Sequence, residues 1–292
     1  GLNRLHLHLS DDQGWRVEIK KYPRLHTVGG TRSETVIGQN MPSKLRPYKG
    51  DGKAYAAYYT QKELSDLVQY GKAKGVILVP EIDLPGHATA LLAAYPEYSA
   101  GKPPQEVATY WGVFDNVVRD DEKTISFLKD IFDELASVFD GLYFHIGGDE
   151  VPLANYRGDA ERPKNVLREV AQYLKQKGRE VILWDDAADV AREVGCIVMV
   201  WRDQKDGYRI LKEGGRVIFT PTSHFYFDYY QADPKHEPLA IGGYIPKEQV
   251  EAFSIDPNIV AEYKDSILGI QANVWTEYMP TEDAVDYMLY PR

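Results

Sequence analysis

Residues 141–150 read Gly-Leu-Tyr-Phe-His-Ile-Gly-Gly-Asp-Glu, a short apolar run that ends in two glycines and two adjacent carboxylates. Such a run is typical of a buried β-strand, which places Asp149 and Glu150 at its carboxyl end. Gly147 and Gly148 have no Cβ, so the backbone can turn sharply there and a ligand can approach closely. The pattern favours a binding site, although an Asp-Glu pair by itself is also typical of the first turn of a helix.

The same kind of run recurs along the chain and alternates with helical patterns. Seven runs predict strands: Arg4–Leu9, Val76–Glu81, Leu142–Ile146, Val181–Trp184, Ile197–Trp201, Val217–Thr220 and Ile267–Ala272. Apolar residues at helical spacing predict helices over Gln61–Lys74, Lys123–Phe139, Pro163–Lys177 and Gln204–Lys212. Thr60 and Pro163 mark predicted helix starts, and Gly75 and Gly178 mark predicted ends. Strands that alternate with helices predict an α/β fold with a parallel sheet.

Composition limits the domain organisation and the partners. The chain has 292 residues, of which 43% are hydrophobic, and no Ser/Gly linker or charge block divides it, so we predict one domain over residues 1–292. Two long segments, Lys21–Tyr59 and Ala88–Glu122, are predicted to be loops on one face. The net charge of −10 argues against nucleic acid or an anionic membrane as the main partner.

Cysteine and hydropathy exclude further classes. The single cysteine, Cys196, excludes an intrachain disulfide and a thiolate metal cluster. No apolar run approaches the roughly 20 residues that a membrane span needs. The chain opens on Gly1-Leu-Asn-Arg, which is not the pattern of a secretory leader, so the sequence leaves the compartment undetermined.

Polar and aromatic residues follow nearly every predicted strand. They are His6, His8, Asp11 and Asp12; Glu81, Asp83 and His87; His145, Asp149 and Glu150; Trp184, Asp185 and Asp186; Trp201; His224, Tyr226 and Asp228; and Asn273, Trp275 and Glu277. A (β/α)8 TIM barrel collects its active site at the carboxyl ends of its strands, so this distribution predicts that fold with one pocket. Aromatic walls at Trp184, Trp201, Trp275 and Tyr226, with carboxylates at the edges, suit a sugar, which has apolar C–H patches and a ring of hydroxyls.

Several motifs carry a family resemblance in the family's order, across essentially the whole chain. They are residues 6–16 (His-Leu-His-Leu-Ser-Asp-Asp-Gln-Gly-Trp-Arg), 79–87 (Val-Pro-Glu-Ile-Asp-Leu-Pro-Gly-His), 111–114 (Trp-Gly-Val-Phe), 145–150, 225–228 (Phe-Tyr-Phe-Asp) and 271–277 (Gln-Ala-Asn-Val-Trp-Thr-Glu). Together they closely resemble the β-N-acetylhexosaminidases of glycoside hydrolase family 20. The resemblance implies a retaining exo-glycosidase that removes terminal β-linked N-acetylhexosamine from glycans or chitooligosaccharides. It implies no cofactor and no metal.

The resemblance also implies a role for each site residue. The substrate's own 2-acetamido oxygen would attack C1, giving an oxazolinium intermediate, while Glu150 protonates the leaving oxygen and Asp149 holds the acetamido N–H. Tyr226 would donate to the acetamido carbonyl oxygen. The other substrate-binding residues implied are Trp184, Trp201 and Trp275 around the sugar, Asp228 and Glu277 on ring hydroxyls, and Asp11 and His87. The last two form a supporting polar pair that orients the site and tunes the pKa of the acid rather than making or breaking bonds. For Asp12 we predict only a loop or cap residue.

The chain departs from the family pattern in three places. It begins at the strand that corresponds to the family's second, so the arginine of the first strand has no counterpart, because Arg4 lies too early to serve. It ends at Arg292, before most of the family's last helix. We therefore expect a barrel without its first βα unit and most of its last helix, either weakly active or completed by association into a homo-oligomer. Tyr244 stands where many relatives place a tryptophan.

Two other functions stay open at this point. A metal-dependent amidohydrolase is one, because His6 and His8 on one strand share a face, as in that superfamily's zinc site. The later strands offer Trp201, Thr220 and Trp275 instead of further ligands, so we favour the two histidines as inward-facing support for the pocket floor. The second is a non-catalytic sugar-binding barrel, against which the intact Asp149-Glu150 pair argues. The family's members are often exported or periplasmic.

Overall fold

The computed structural model describes residues 2–39 and 47–292. The chain forms two compact units, of which the first ends at Cys196 and the second begins at Ile197. Each unit contains parallel strands joined by helices. Among the described helices, none is both long enough and apolar enough to cross a membrane.

Over residues 2–39 and 47–196, the first unit holds eight strands and six α-helices. The strands are β1 (Arg4–His8), β2 (Ser10–Asp11), β3 (Gly14–Trp15), β4 (Thr31–Arg32), β5 (Tyr55–Ala56), β6 (Ile77–Leu84), β7 (Tyr143–Gly147) and β8 (Glu180–Trp184). The helices are α1 (Arg24–Thr27), α2 (Gln61–Ala73), α3 (Thr89–Ala94), α4 (Glu122–Val138), α5 (Glu161–Gln176) and α6 (Ala188–Val194). Short 3-10 helices span Pro96–Tyr98, Ala154–Tyr156 and Asp185–Ala187.

Strand register in the first unit aligns polar residues from distant parts of the chain. β1 pairs in parallel with β6, β6 with β7, and β7 with β8. His8 lies opposite Glu81, and Glu81 lies opposite His145. Because successive side chains of a strand alternate between faces, in-register residues of parallel strands share a face. These three side chains therefore lie at one level, near the carboxyl ends of their strands.

Local sequence explains why the helices start where they do and why the strands are buried. α2 begins at a capping box, in which the Thr60 side chain accepts the N–H of Glu63 and the Glu63 carboxylate accepts the N–H of Thr60. α4 begins after Asp121, whose carboxylate accepts the N–H of Thr124. Phe144 of β7 and Val181 of β8 have no exposed surface, and burying apolar area stabilises the fold by roughly 25 cal/mol per Å².

The second unit holds three parallel strands and five helices. The strands are β9 (Ile197–Val200), β10 (Arg216–Phe219) and β11 (Ile267–Ile270), and β10 pairs with both of the others. The helices are α7 (Gln204–Lys212), α8 (Thr222–Phe225), α9 (Lys247–Glu251), α10 (Pro257–Tyr263) and α11 (Glu282–Leu289). A small core of Ala240, Met279 and Met288 lies within this unit.

The seven predicted strands and the four predicted helices are confirmed, with shifts at their ends. β6 runs on to Leu84 instead of stopping at Glu81, because its carboxylates are buried within the strand and do not end it. α5 begins at Glu161, so Pro163 lies in its first turn, where a missing N–H is tolerated. A single domain over residues 1–292 stays a prediction.

The two segments predicted as loops contain short regular elements as well. The first, 21–59, includes α1, β4 and β5, and the second, 88–122, includes α3 and a 3-10 helix. Residues 40–46 of the first segment lie outside the described residues. The helical pieces are only three to six residues long, too short for a periodic pattern to show in the sequence.

Candidate active site

Two glycines turn the chain sharply at the end of β7. Gly147 has φ +75° and Gly148 has φ +101°, both in the region that favours glycine. A Cβ on Gly147 would overlap the carboxylate of Asp83. Glu150 also has positive φ, +49°, which costs a non-glycine residue about 1–3 kcal/mol and is most often found at functional sites. The backbone is thus held in a strained turn that presents Asp149 and Glu150.

The two adjacent carboxylates share one histidine. His87 Nε2 lies 3.7 Å from Asp149 Oδ2 and 3.5 Å from Glu150 Oε2. The side chain of Asp149 is 17% exposed and that of Glu150 is 38% exposed, so Glu150 is the more open to a substrate. Burial raises the pKa of Asp149 to about 6, a rise that His87 opposes and that Glu81 reinforces. The two acids therefore have unequal surroundings.

His87 is held from its other side by two aspartates. Its Nδ1 lies 3.1 Å from Asp12 Oδ2 and 3.2 Å from Asp11 Oδ1, and its φ is +46°. Burial opposes a charge on the ring, but Asp11 and Asp12 together raise the pKa of His87 well above its ordinary value. Burial would raise the pKa of Asp11, but His87 and His8 lower it below the usual range. His87 is therefore a buried cation between two pairs of acids.

Asp12 does more than the loop or cap residue predicted from the sequence. It is fully buried, and its carboxylate accepts the backbone N–H of Thr89 at 3.0 Å and also the hydroxyl of that residue. Since Thr89 is the first residue of α3, Asp12 does anchor a helix start, but it also contacts His87. No local sequence signal separates these two roles, because the partners come from a distant segment.

Four ring nitrogens surround Glu81 inside the first unit. It has no exposed surface, and its oxygens lie 2.7 Å from His6 Nε2, 3.0 Å from His8 Nδ1, 3.1 Å from His145 Nδ1 and 3.0 Å from Trp184 Nε1. Burial would raise the pKa of Glu81, but His145, His8 and His6 lower it well below its ordinary value. Burial lowers the pKa of His145 to about 4.

This cluster was only partly anticipated from the sequence. The inward-facing placement expected for His6 and His8 agrees with their contacts to Glu81. The sequence places Glu81 and Asp83 at a strand end and assigns them no role. Their spacing of two within an apolar strand is a usable signal, because it places both carboxylates on one face of β6. Asp83 is also buried, and burial together with Asp149 raises its pKa well above the ordinary value.

Trp184 contributes its ring edge to this cluster. Its indole N–H donates to Glu81, and its ring centroid lies 4.8 Å from that of His145. The residue is only 2% exposed, so most of its surface packs against protein. Its predicted place as a wall of the sugar pocket stays a prediction.

In the second unit, the predicted aromatic residues form a cluster of their own. The ring centroid of Tyr226 lies 6.3 Å from that of Trp201 and 6.3 Å from that of Trp275. The backbone N–H of Phe227 donates to the carbonyl of Asn273 at 2.8 Å, which joins the segments that follow β10 and β11. The fold thus brings together residues that are separated in sequence by the segment containing α9 and α10.

Two acids lie beside this aromatic cluster. Asp228 is 4% exposed, and burial raises its pKa to about 7, with Glu277 adding to the rise and Arg292 opposing it. The guanidinium of Arg292 donates to the carbonyls of Phe227 and Tyr229 at 2.6 and 3.0 Å. Arg292 thereby fixes the loop that carries Asp228. Tyr244 is 55% exposed.

Known proteins resemble the chain over its whole length. The glycosyl hydrolase family 20 catalytic domain matches residues 1–292. A β-hexosaminidase of Porphyromonas gingivalis (strain ATCC BAA-308 / W83) is 38% identical, in an alignment that covers 100% of this chain and 38% of that protein. A β-N-acetylhexosaminidase of Cellulomonas fimi is 31% identical over 100% of this chain and 55% of that protein. The chain spans about half the length of the relatives it matches.

Solved structures agree with the sequence relatives. The crystal structure of a β-N-acetylhexosaminidase matches with a TM-score of 0.83 and 27% identity, over 99% of this chain and 63% of that one. The Streptomyces plicatus N-acetyl-β-hexosaminidase in complex with thio-NAglucal matches with a TM-score of 0.78 and 31% identity, over 99% and 56%. The predicted α/β fold of the (β/α)8 barrel class is confirmed by these matches. Because the family model covers every residue, the chain belongs to glycosyl hydrolase family 20, as a catalytic domain.

Proposed function

We propose that this chain is the catalytic domain of a retaining exo-glycosidase that removes terminal β-linked N-acetylhexosamine from glycans or chitooligosaccharides. The observation that carries the proposal is the pair Asp149 and Glu150, two neighbouring carboxylates that share the cationic His87. The relatives named β-hexosaminidase support the same substrate class.

The position of the pair bears on the identity of the nucleophile. Most retaining glycosidases place two carboxyls about 5–5.5 Å apart on opposite sides of the scissile bond, one as acid and one as nucleophile. Asp149 and Glu150 are adjacent in the chain, and both lie within 3.7 Å of His87 Nε2. They are therefore poorly placed to reach opposite sides of one scissile bond. We therefore assign the attack on C1 to the substrate's own 2-acetamido oxygen, which gives an oxazolinium intermediate and overall retention.

Glu150 takes the proton-transfer role in this scheme. It is the more exposed acid of the pair, and it lies in a strained backbone turn that fixes its direction. In the first step it protonates the leaving oxygen, and in the second it removes a proton from the water that opens the oxazolinium ring. General acid–base catalysis of this kind contributes about 10²- to 10⁴-fold in rate.

Asp149 takes the electrostatic role. In its ionised form it accepts the acetamido N–H and stabilises the positive charge that develops on that nitrogen as the ring closes. A carboxylate in low-dielectric surroundings interacts with such a charge more strongly than one in water. The burial that raises its pKa to about 6 thus also strengthens this interaction.

The second unit supplies groups suited to binding a sugar. Tyr226 is assigned to the acetamido carbonyl oxygen, and Trp201 and Trp275 to apolar faces of the substrate. Asp228 and Glu277 are assigned to ring hydroxyls, since carboxylates accept hydrogen bonds from them. Trp184, Asp11 and His87 complete the proposed set in the first unit.

Matched aryl β-glycosides with and without the 2-acetamido group test the proposal. The wild-type protein is expected to hydrolyse the N-acetylglucosaminide and to leave the glucoside essentially untouched. Glu150→Gln should lose about 10²- to 10⁴-fold on a poor leaving group and much less on an activated one, because only the poor one needs a proton. Equal rates on the two glycosides would refute substrate assistance.

Asp149→Asn should slow both leaving groups, since it removes charge stabilisation and leaves the acid in place. Asp140→Asn is a matched control, because Asp140 precedes β7, whereas Asp149 follows it. Asp140 pairs with Lys72 at the surface. A wild-type rate for Glu150→Gln on the poor leaving group would remove the acid assignment.

A further inference from the structure

A continuous chain of charged contacts connects the buried Glu81 to the proposed acid. Glu81 Oε2 lies 3.0 Å from His8 Nδ1, and His8 Nε2 lies 3.1 Å from Asp11 Oδ2. Asp11 Oδ1 lies 3.2 Å from His87 Nδ1, and His87 Nε2 lies 3.5 Å from Glu150 Oε2. Each imidazole uses one nitrogen toward each neighbour, and His87 Nδ1 also lies 3.1 Å from Asp12 Oδ2.

Charges alternate along this chain. The histidines lower the pKa of both Glu81 and Asp11 below their ordinary values despite burial. The carboxylates raise the pKa of both His8 and His87 well above the ordinary value, again despite burial. At neutral pH the order is therefore anion, cation, anion, cation, ending at Glu150. Neighbours of opposite charge within about 4–6 Å favour each other's ionised form.

Asp11 is the link that most needs support. Its side chain is 36% exposed, so a carboxylate anchored by one oxygen alone could turn toward solvent. One oxygen is held by His87 and the other by His8, which fixes both the position and the orientation of the carboxylate. His8 Nδ1 in turn lies 3.0 Å from an oxygen of Glu81, which is fully buried in β6.

We propose that Glu81 and His8 are positioning residues for the general acid, acting through Asp11 and His87 to hold Glu150 in place. This inference rests on the proposed function and extends it by two residues that do not touch the substrate. Glu81 keeps His8 in its charged form, and the charged His8 holds the outer oxygen of Asp11. Misplacing a catalytic group by about 1 Å can cost about 10²-fold in rate, so a relay of this kind has a measurable effect.

Several ionisable groups surround His8 and enter any pH experiment. They are His6 on β1, Asp11 on β2, Glu81 and Asp83 on β6, and His145 and Asp149 at β7. His145 has its pKa lowered to about 4, so it stays neutral above that pH. Burial raises the pKa of Asp149 to about 6, Glu81 adds to that rise and His8 opposes it, so both relay variants also change this pKa. A change at Asp149 affects both leaving groups, whereas misplacing Glu150 affects mainly the poor one, so each variant is compared with the wild type at the same pH and on both substrates.

The test compares kcat/KM of three variants on two N-acetylglucosaminides, one with a poor aryl leaving group and one with 2,4-dinitrophenolate. Glu81→Gln should lose at least tenfold on the poor leaving group at pH 7.5. The loss relative to wild type should be smaller at pH 5.5 than at pH 7.5, because a lower pH favours the protonated form of His8 that Glu81 otherwise stabilises. The kcat/KM of His8→Gln on the poor leaving group should fall at least tenfold at both pH values, because glutamine cannot be protonated. Both losses should exceed the loss on the activated substrate by about tenfold or more.

His26→Asn is the matched control, because His26 is another buried histidine that takes no part in the contacts from Glu81 to Glu150. Its Nδ1 accepts the N–H of Ile19 at 3.2 Å. It should show the wild-type dependence on pH and leaving group. Equal losses on both substrates at every pH, or wild-type values in both relay variants, would overturn the inference. If Glu81→Gln does not fold, the leaving-group dependence of His8→Gln decides alone. A failure of the proposed function shows separately, because the wild-type protein would then hydrolyse glycosides with and without the 2-acetamido group at equal rates.

Discussion

The free energy of unfolding of Asp228→Asn, relative to that of the wild type, should rise from acidic to alkaline pH. Asp228 is 4% exposed, and burial together with Glu277 raises its pKa to about 7. An aspartate in an unfolded chain has a pKa of about 3.9. A carboxyl whose pKa is raised on folding favours the folded state only when protonated, so its stabilisation is complete below pH ~4 and is lost as pH rises through about 7.

The size of the effect follows from the two pKa values. Linkage gives a cost of ionising Asp228 of about 1.5 kcal/mol at pH 5 and about 4 kcal/mol at pH 8. Asparagine carries no charge at either pH, so it escapes this cost. Any fixed effect of the amide group is the same at both pH values. The stability of Asp228→Asn relative to wild type should therefore rise by about 2.5 kcal/mol between pH 5 and pH 8.

Urea unfolding followed by tryptophan fluorescence at the two pH values measures this difference. Asp265→Asn is a suitable control, because Asp265 is an exposed aspartate of the same unit, and its relative stability should stay constant within about 0.5 kcal/mol. If Asp228→Asn and wild type change in parallel from pH 5 to pH 8, Asp228 is not a carboxyl of raised pKa and the reasoning is refuted.

Three further predictions concern the first unit. Gly147→Ala should lower the free energy of unfolding by several kcal/mol in thermal unfolding, because the added Cβ would overlap Asp83. Gly178→Ala, with φ +78° and open space around it, should lower it by only about 1–2 kcal/mol. Equal costs would contradict the steric argument. Thr60→Ala should lower stability by about 1 kcal/mol through loss of the capping box, and no change in the urea midpoint would count against that cap. Since Asp149 acts as an anion with a pKa of about 6, kcat/KM should fall as pH drops below about 6, and a flat profile down to pH 4.5 would contradict its role.

Much of the fold and part of the site could be predicted from local sequence. Strands such as β7 are continuous apolar runs and helices such as α4 carry a capped amphipathic pattern, and both signals lie within a few neighbouring residues. Short elements such as α3 were missed, because a six-residue helix shows less than two turns of any pattern. Asp12 was underestimated for a different reason, since its partner His87 lies on another segment.

By itself the sequence determined the α/β pattern, the placement of polar residues at strand ends and the adjacent acids Asp149 and Glu150, because each is a local property of neighbouring residues. Only the tertiary structure decided that Glu81 lies in register with His8 and His145, and that a relay of contacts runs from Glu81 to Glu150. Strand register and burial depend on pairing between distant segments. The charge states depend on them in turn, since desolvation and opposite charges set each pKa.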